Sequence, residues 1–213
     1  MTTLTLANIC LDVQIGICMC LHPSDILSLR KVCPHLKFSL LKPLKYTNII
    51  KTCRAFERIT RQRVVWVAAL HRVCLDNTLF LPSFPISDMK DLEIEKAAMG
   101  PRRWIELCGA YEKQHLNDPD AILCPRSTRI INEFPTESID QFGLFFLVPG
   151  GRYLVKLTDG DISVLDLGYT SSSDCKLIAS VGINRTFSGG SAFFRVQATP
   201  DGMGLTIFAH ISP

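Results

Sequence analysis

The 213-residue chain carries 23 basic and 20 acidic side chains, for a net charge of +3. That balance excludes a general nucleic-acid binder, whose phosphate contacts need concentrated Lys and Arg. A hydrophobic share of 47% and a mean hydropathy of +0.20 are apolar for a chain that stays soluble alone. The surplus is expected to end in a core or in a partner interface.

Up to about Glu112 the apolar residues follow a helical period. Leu11, Ile15, Cys18 and Leu21 step by three or four residues and predict one apolar helix face. His22-Pro23-Ser24-Asp25 breaks the chain, with Ser24 expected to cap the next helix and Asp25 to sit at its positive end. Phe56 and Ile59 mark one turn, and Trp66, Ala69, Leu70 and Val73 repeat the spacing on a further helix. Pro82 and Pro85 punctuate a loop. A short helix is predicted over Asp91 to Met99, and Pro101 opens another that carries Trp104, Leu107 and Cys108.

From Leu144 the period changes to two. Leu144 to Val148 is an apolar run ending in the turn Pro149-Gly150-Gly151. Tyr153, Val155 and Leu157 then alternate with Leu154, Lys156 and Thr158. Thr158-Asp159-Gly160-Asp161 makes a second turn before Ile162, Val164 and Asp166. These signals predict antiparallel hairpins with glycine where positive φ is needed. The expected fold class is α+β, divided as helices over 1–75, a helical linker over 76–116, a connecting segment over 117–141 and a β region over 142–213.

Nine cysteines at irregular spacing, with no C-x-x-C pair, do not supply the clustered ligands of tetrahedral zinc. They predict buried, reduced thiols and a cytoplasmic or nuclear chain. The uncharged run from Val13 to Ser24 is too short to span a bilayer, and the N-terminus lacks a basic leader region.

Three blocks in the first half resemble the F-box, a helical module of ubiquitin ligases. They are Ile9-Cys10-Leu11-Asp12-Val13, then Leu21-His22-Pro23-Ser24-Asp25-Ile26-Leu27-Ser28-Leu29, then Thr52-Cys53-Arg54-Ala55-Phe56 followed by Val65-Trp66. The middle block is the most specific. The first departs from the pattern, with Cys10 where proline is usual and Gly16 inside the first helix, where glycine costs about 1 kcal/mol relative to alanine. The resemblance implies docking on a Skp-type adaptor, which links the module to a cullin-RING ligase, by laying an apolar helix face in a groove of the partner. It implies adaptor contacts at Ile9, Leu11, Leu21, Pro23, Ile26 and Leu27, and a module core of Val13, Leu29, Phe56 and Trp66.

Between Lys31 and Thr52 the match fails, and deleting residues 32–51 restores the family's spacing. Val32-Cys33 is encoded by a sequence resembling a splice donor, Lys51 can end in AG, and Thr47-Asn48 can be written as a branch point. Residues 32–51 are therefore expected to be either a retained short intron or a genuine basic loop. Transcript reads across Lys31 and Thr52 decide between the two.

In the second half, Val148 to Val155 and Asp159 to Leu167 resemble a WD-type propeller blade, with Gly150 and Leu165 replacing the family's aspartate and tryptophan. A second round appears in Phe193 to Val196, Thr199-Pro200-Asp201-Gly202 and Leu205 to Phe208. Two rounds do not close a propeller of four to eight blades, so a truncated C-terminus is expected, against the alternative of a small self-contained sheet.

His22, His35, His71, His115 and His210 are scattered outside any nucleophile or metal motif, and neither glycine turn opens a helix as a phosphate loop must. No catalytic residue, metal or cofactor is expected. The expected role is a substrate receptor of an SCF-type ligase, with an unknown protein target and with neither nucleic acid nor membrane as partner. The alternatives are a non-catalytic scaffold or a truncated, non-functional gene product.

Overall fold

A computed structural model describes residues 9–39, 55–118, 143–158, 161–169, 174–183 and 192–211. It is mixed α and β: helices first, then antiparallel sheets of four and two strands, with no closed barrel among the described residues. The chain divides into two compact units, residues 1–73 with 86–118, and residues 74–85 with 119–213. The predicted linker over 76–116 is thus shared: its first residues join the β unit and the rest joins the helices. The connecting segment expected over 117–141 lies almost wholly outside the described residues.

The helical unit contains α1 (Leu11–Met19), α2 (Pro23–Ser39), a helical stretch at 55–59, α3 (Arg63–Asp76, whose last turn belongs to the other unit), α4 (Asp91–Ala98) and α5 (Gly100–Asn117). Ser24 does not cap α2. Pro23 takes the first helical position, where its missing N–H is no loss, and the His22 Nδ1 accepts the Ser24 N–H at 3.3 Å. α2 runs on through the Lys31–Val32 junction to Ser39, and residues 40–51 of the expected insertion lie outside the described residues.

The core of this unit is the apolar set the spacing marked. Ile59, Trp66, Ala69, Leu70 and Val73 are buried, together with Ile26, Val65 and Ile94. Burying each large side chain contributes about 1.5–3 kcal/mol. Arg30 ties four segments together. Its guanidinium donates to both Glu95 carboxylate oxygens at 2.9 and 3.2 Å and to the Thr60 carbonyl, and it lies 5.5 Å from the Trp66 ring centre. The Trp66 indole N–H donates to the same carbonyl at 2.8 Å. Arg63 does similar work for the loop before α4, donating to the Met89 carbonyl at 2.7 Å, to Asp91 at 3.0 Å and to the Ile86 carbonyl.

The β unit holds β1 (Leu144–Leu147), β2 (Tyr153–Thr158), β3 (Asp161–Asp166) and β4 (Lys176–Gly182) in one antiparallel sheet, and β5 (Ala192–Ala198) with β6 (Leu205–Ile211) in another. The first and last hairpins pack on one another. Val148 and Val196, forty-eight residues apart, share one core with Phe80 and Val155. Phe146 and Phe194, separated by the same interval, meet edge to face at 6.5 Å.

One segment joins both rounds. The Phe80 N–H donates to the Pro149 carbonyl and the next N–H, of Leu81, donates to the Gly202 carbonyl, each at 3.0 Å. Equivalent turns of the two hairpins are therefore held by adjacent residues. Arg152 then closes the first round: it donates to both oxygens of Asp166 at 2.9 and 2.7 Å and to the Pro82 carbonyl at 3.2 Å. That forked pairing holds the Asp166 carboxyl below the usual carboxylate range, aided by the Gly168 N–H.

Candidate docking surfaces

α1 is apolar nearly all round, so its composition does not select which side is buried. The buried pair Gln14 and Cys18 marks the side that faces inward. Gln14 is buried and its amide donates to the Ile9 carbonyl at 2.8 Å. Cys18, one turn on, is fully buried beside it, and burial pushes its thiol pKa up. Arg72 fixes the far end of α1 by donating to the Met19 carbonyl at 2.7 Å, which places a cation at the helix's negative terminus.

With Gln14 and Cys18 inward, the stripe Cys10, Val13, Ile17 and Cys20 faces solvent. The intervals of three, four and three put these residues on one side of the helix. Val13 is 49% exposed and Ile17 39%. Leu11, in the first turn, is also exposed.

The six expected adaptor contacts divide. Leu11 is exposed, Ile9, Leu21 and Leu27 are half-buried, and Pro23 and Ile26 are enclosed. Pro23 and Ile26 therefore belong to the interior of the unit, because a side chain with no accessible surface offers nothing to a partner. Among the expected core residues, Phe56 and Trp66 are buried and Leu29 is half-buried. Val13 is the reverse of its expected placement, because the side of α1 that faces inward carries Gln14 and Cys18. Ile17 and Cys20 lie outside the F-box-like blocks, and Cys10 stands in them only as a departure from the pattern. No signal in the sequence marks them, because a lone glutamine in an apolar helix is ordinarily expected on the exposed side.

A second apolar surface lies on α5, where Trp104 is 58% exposed and Ile105, Leu107 and Cys108 are exposed with it. A third is the edge strand β4, all of whose residues are exposed.

The described residues contain no group of three or more His, Cys, Asp or Glu able to hold a metal, and no helix among them is long and apolar enough to cross a membrane. Among the histidines, His22 serves the start of α2 and His115 stacks on Tyr111 at 5.7 Å. His35 has no described side-chain surroundings. Asp161 and Asp201 serve turns and strand ends: Asp161 accepts from Ser163 and Ser180 at 2.5 and 2.6 Å, and Asp201 accepts from Thr199 and the Met203 N–H at 2.5 and 3.0 Å.

No family model, curated protein or solved structure matches the chain.

Proposed function

We propose that the chain is a non-catalytic substrate receptor of an SCF-type ubiquitin ligase, its helical unit docking on a Skp-type adaptor and its β unit engaging a protein target. Two things support the reading: the F-box-like blocks of the sequence and the apolar stripe that α1 turns to solvent. The stripe is the observation that carries it. Val13 and Ile17 are exposed, while Gln14 and Cys18 serve the core from the neighbouring side of the same helix. An exposed apolar helix stripe gains its free energy when laid in a partner's groove.

Calorimetric titration of the full chain with a recombinant Skp-type adaptor tests this. Saturable binding is expected, and Val13→Asp with Ile17→Asp should weaken it at least tenfold while leaving the far-UV circular dichroism unchanged. Phe208→Asp, an exposed position of the β unit, should leave the affinity as it was. A folded chain that gives no heat with the adaptor ends the proposal.

A further inference from the structure

We infer that the α1 stripe is a thiol-gated contact between two copies of the chain: under peroxide, Cys10 of each copy bonds to Cys20 of the other, and the pair covers Val13 and Ile17. The stripe Cys10, Val13, Ile17, Cys20 has the spacing of one seam of a two-helix coil. Read backwards, its intervals are the same. A two-fold axis across the middle of α1 therefore sets Cys10 against the second copy's Cys20, and Val13 against its Ile17, in an isologous contact that closes at two copies. Thiol meets thiol at both ends and hydrocarbon meets hydrocarbon between them, which is why the occupant is a second copy. Charge agrees. Asp12 is the one charged residue of α1 and lies off the seam, so no like charges oppose, and the antiparallel arrangement puts the positive end of each helix beside the negative end of the other.

The thiols are free to react. Cys10 and Cys20 are exposed, they are the two cap residues of α1, and the Cys10 side chain makes no cap hydrogen bond. Helices in contact lie about 8–10 Å apart. Subtracting two Cα radii of about 2.3 Å leaves facing Cα atoms about 3.4–5.4 Å apart, overlapping the roughly 4.4–6.8 Å that a disulfide spans. Within one copy the same two cysteines are ten residues apart, about 15 Å along the helix, and do not reach one another. Each bond takes one hydrogen peroxide. The first thiol attacks a peroxide oxygen, giving a sulfenic acid and water, and the second displaces water from that sulfur. A nine-residue helix offers far less than the roughly 800 Å² per partner of a standard interface, so the pair is held by its two disulfides and falls open on reduction. The consequence for adaptor docking rests on the proposed role of α1; the cross-link does not.

Cross-link mapping tests it. The full chain at about 50 µM, treated with about one equivalent of hydrogen peroxide, should run as a dimer on a non-reducing gel, and peptide mapping should find Cys10 joined to Cys20. Cys10→Ser or Cys20→Ser should each lower the dimer yield at least fivefold, and Cys108→Ser, on another exposed thiol, should leave it unchanged. Val13→Asp with Ile17→Asp keeps both thiols but removes the apolar layers between them, and should lower the yield at least threefold. In calorimetry the oxidised dimer should bind a Skp-type adaptor at least tenfold more weakly than the reduced chain, with recovery in dithiothreitol. No dimer, bonds of Cys10 to Cys10 or Cys20 to Cys20 in place of the mixed pair, an unchanged yield from the double aspartate variant, or an oxidised dimer that binds the adaptor as the reduced chain does would each overturn the inference. A reduced chain that gives no heat with the adaptor ends the docking proposal alone, and the cross-link map still decides this one.

Discussion

Replacing Gly150 by alanine puts the packing of the β unit under a sharp test. Gly150 has φ +114° in the Pro149-Gly150-Gly151 turn, a conformation that costs a residue with a side chain about 1–3 kcal/mol. Its added Cβ would lie 2.5 Å from the Ser83 Cβ and 2.6 Å from the Ser83 Oγ, about 1 Å inside the roughly 3.5–4.0 Å of favourable carbon contact. Ser83 has nowhere to go. It is fully buried, and its N–H donates to the Phe80 carbonyl at 2.9 Å within the 3-10 turn Leu81–Ser83.

Overpacking of that kind costs about 1–3 kcal/mol, for a combined loss of about 4 kcal/mol. Gly151 next door is the control. Its φ of +77° carries the backbone cost, but a Cβ there meets nothing within 4 Å, so Gly151→Ala should cost about 1–2 kcal/mol. Urea unfolding followed by circular dichroism, with hydrogen exchange read on β1 and β2, measures both. Adding Ser83→Gly to Gly150→Ala should recover about 1–3 kcal/mol as coupling between neighbours. Equal costs at Gly150 and Gly151, or no recovery with Ser83→Gly, would refute the reasoning.

Acid should unfold the β unit partly through Asp166. Because Arg152 holds its folded pKa below the unfolded value of about 3.9, its contribution is fully present above that value. It fades as pH falls through the folded pKa. Asp166→Asn should therefore lower stability at pH 7 and flatten the loss below pH 4, read from thermal melts across pH. Thiol labelling of the native chain at pH 8 should modify Cys10, Cys20 and Cys108, which are exposed. Cys18 and Cys74 should be spared until urea opens the fold, Cys74 having its pKa pushed up to about 12 by burial. Peptide mapping by mass spectrometry checks this, and native labelling of Cys74 would contradict the burial assigned to it.

The pattern of residues determined the class of each element. The three-to-four spacing of Trp66, Ala69, Leu70 and Val73 placed one face of α3 inside, and all four are buried. The alternation at Tyr153 to Leu157 and the glycines at 150, 151 and 202 placed hairpins that fold as expected, with positive φ at each glycine. Periodicity works there because polar and apolar sides differ. It failed on α1, where both sides are apolar and the side that faces inward is the one carrying Gln14 and Cys18. Val13 moved outward and the stripe Cys10, Val13, Ile17 and Cys20 emerged for that reason.

Tertiary structure alone also decided where segments 74–85 and 86–118 belong. No local signal tells that Arg30 will reach Glu95 across 65 residues, or that Phe80 and Leu81 will bind the Pro149 and Gly202 carbonyls. Such contacts join groups far apart in the chain, and whether they form depends on the packing of everything between them. The sequence by itself determined helices followed by paired strands, because those depend on neighbours three or four residues away. Which apolar surfaces stayed uncovered depended on how each unit packed around its own core.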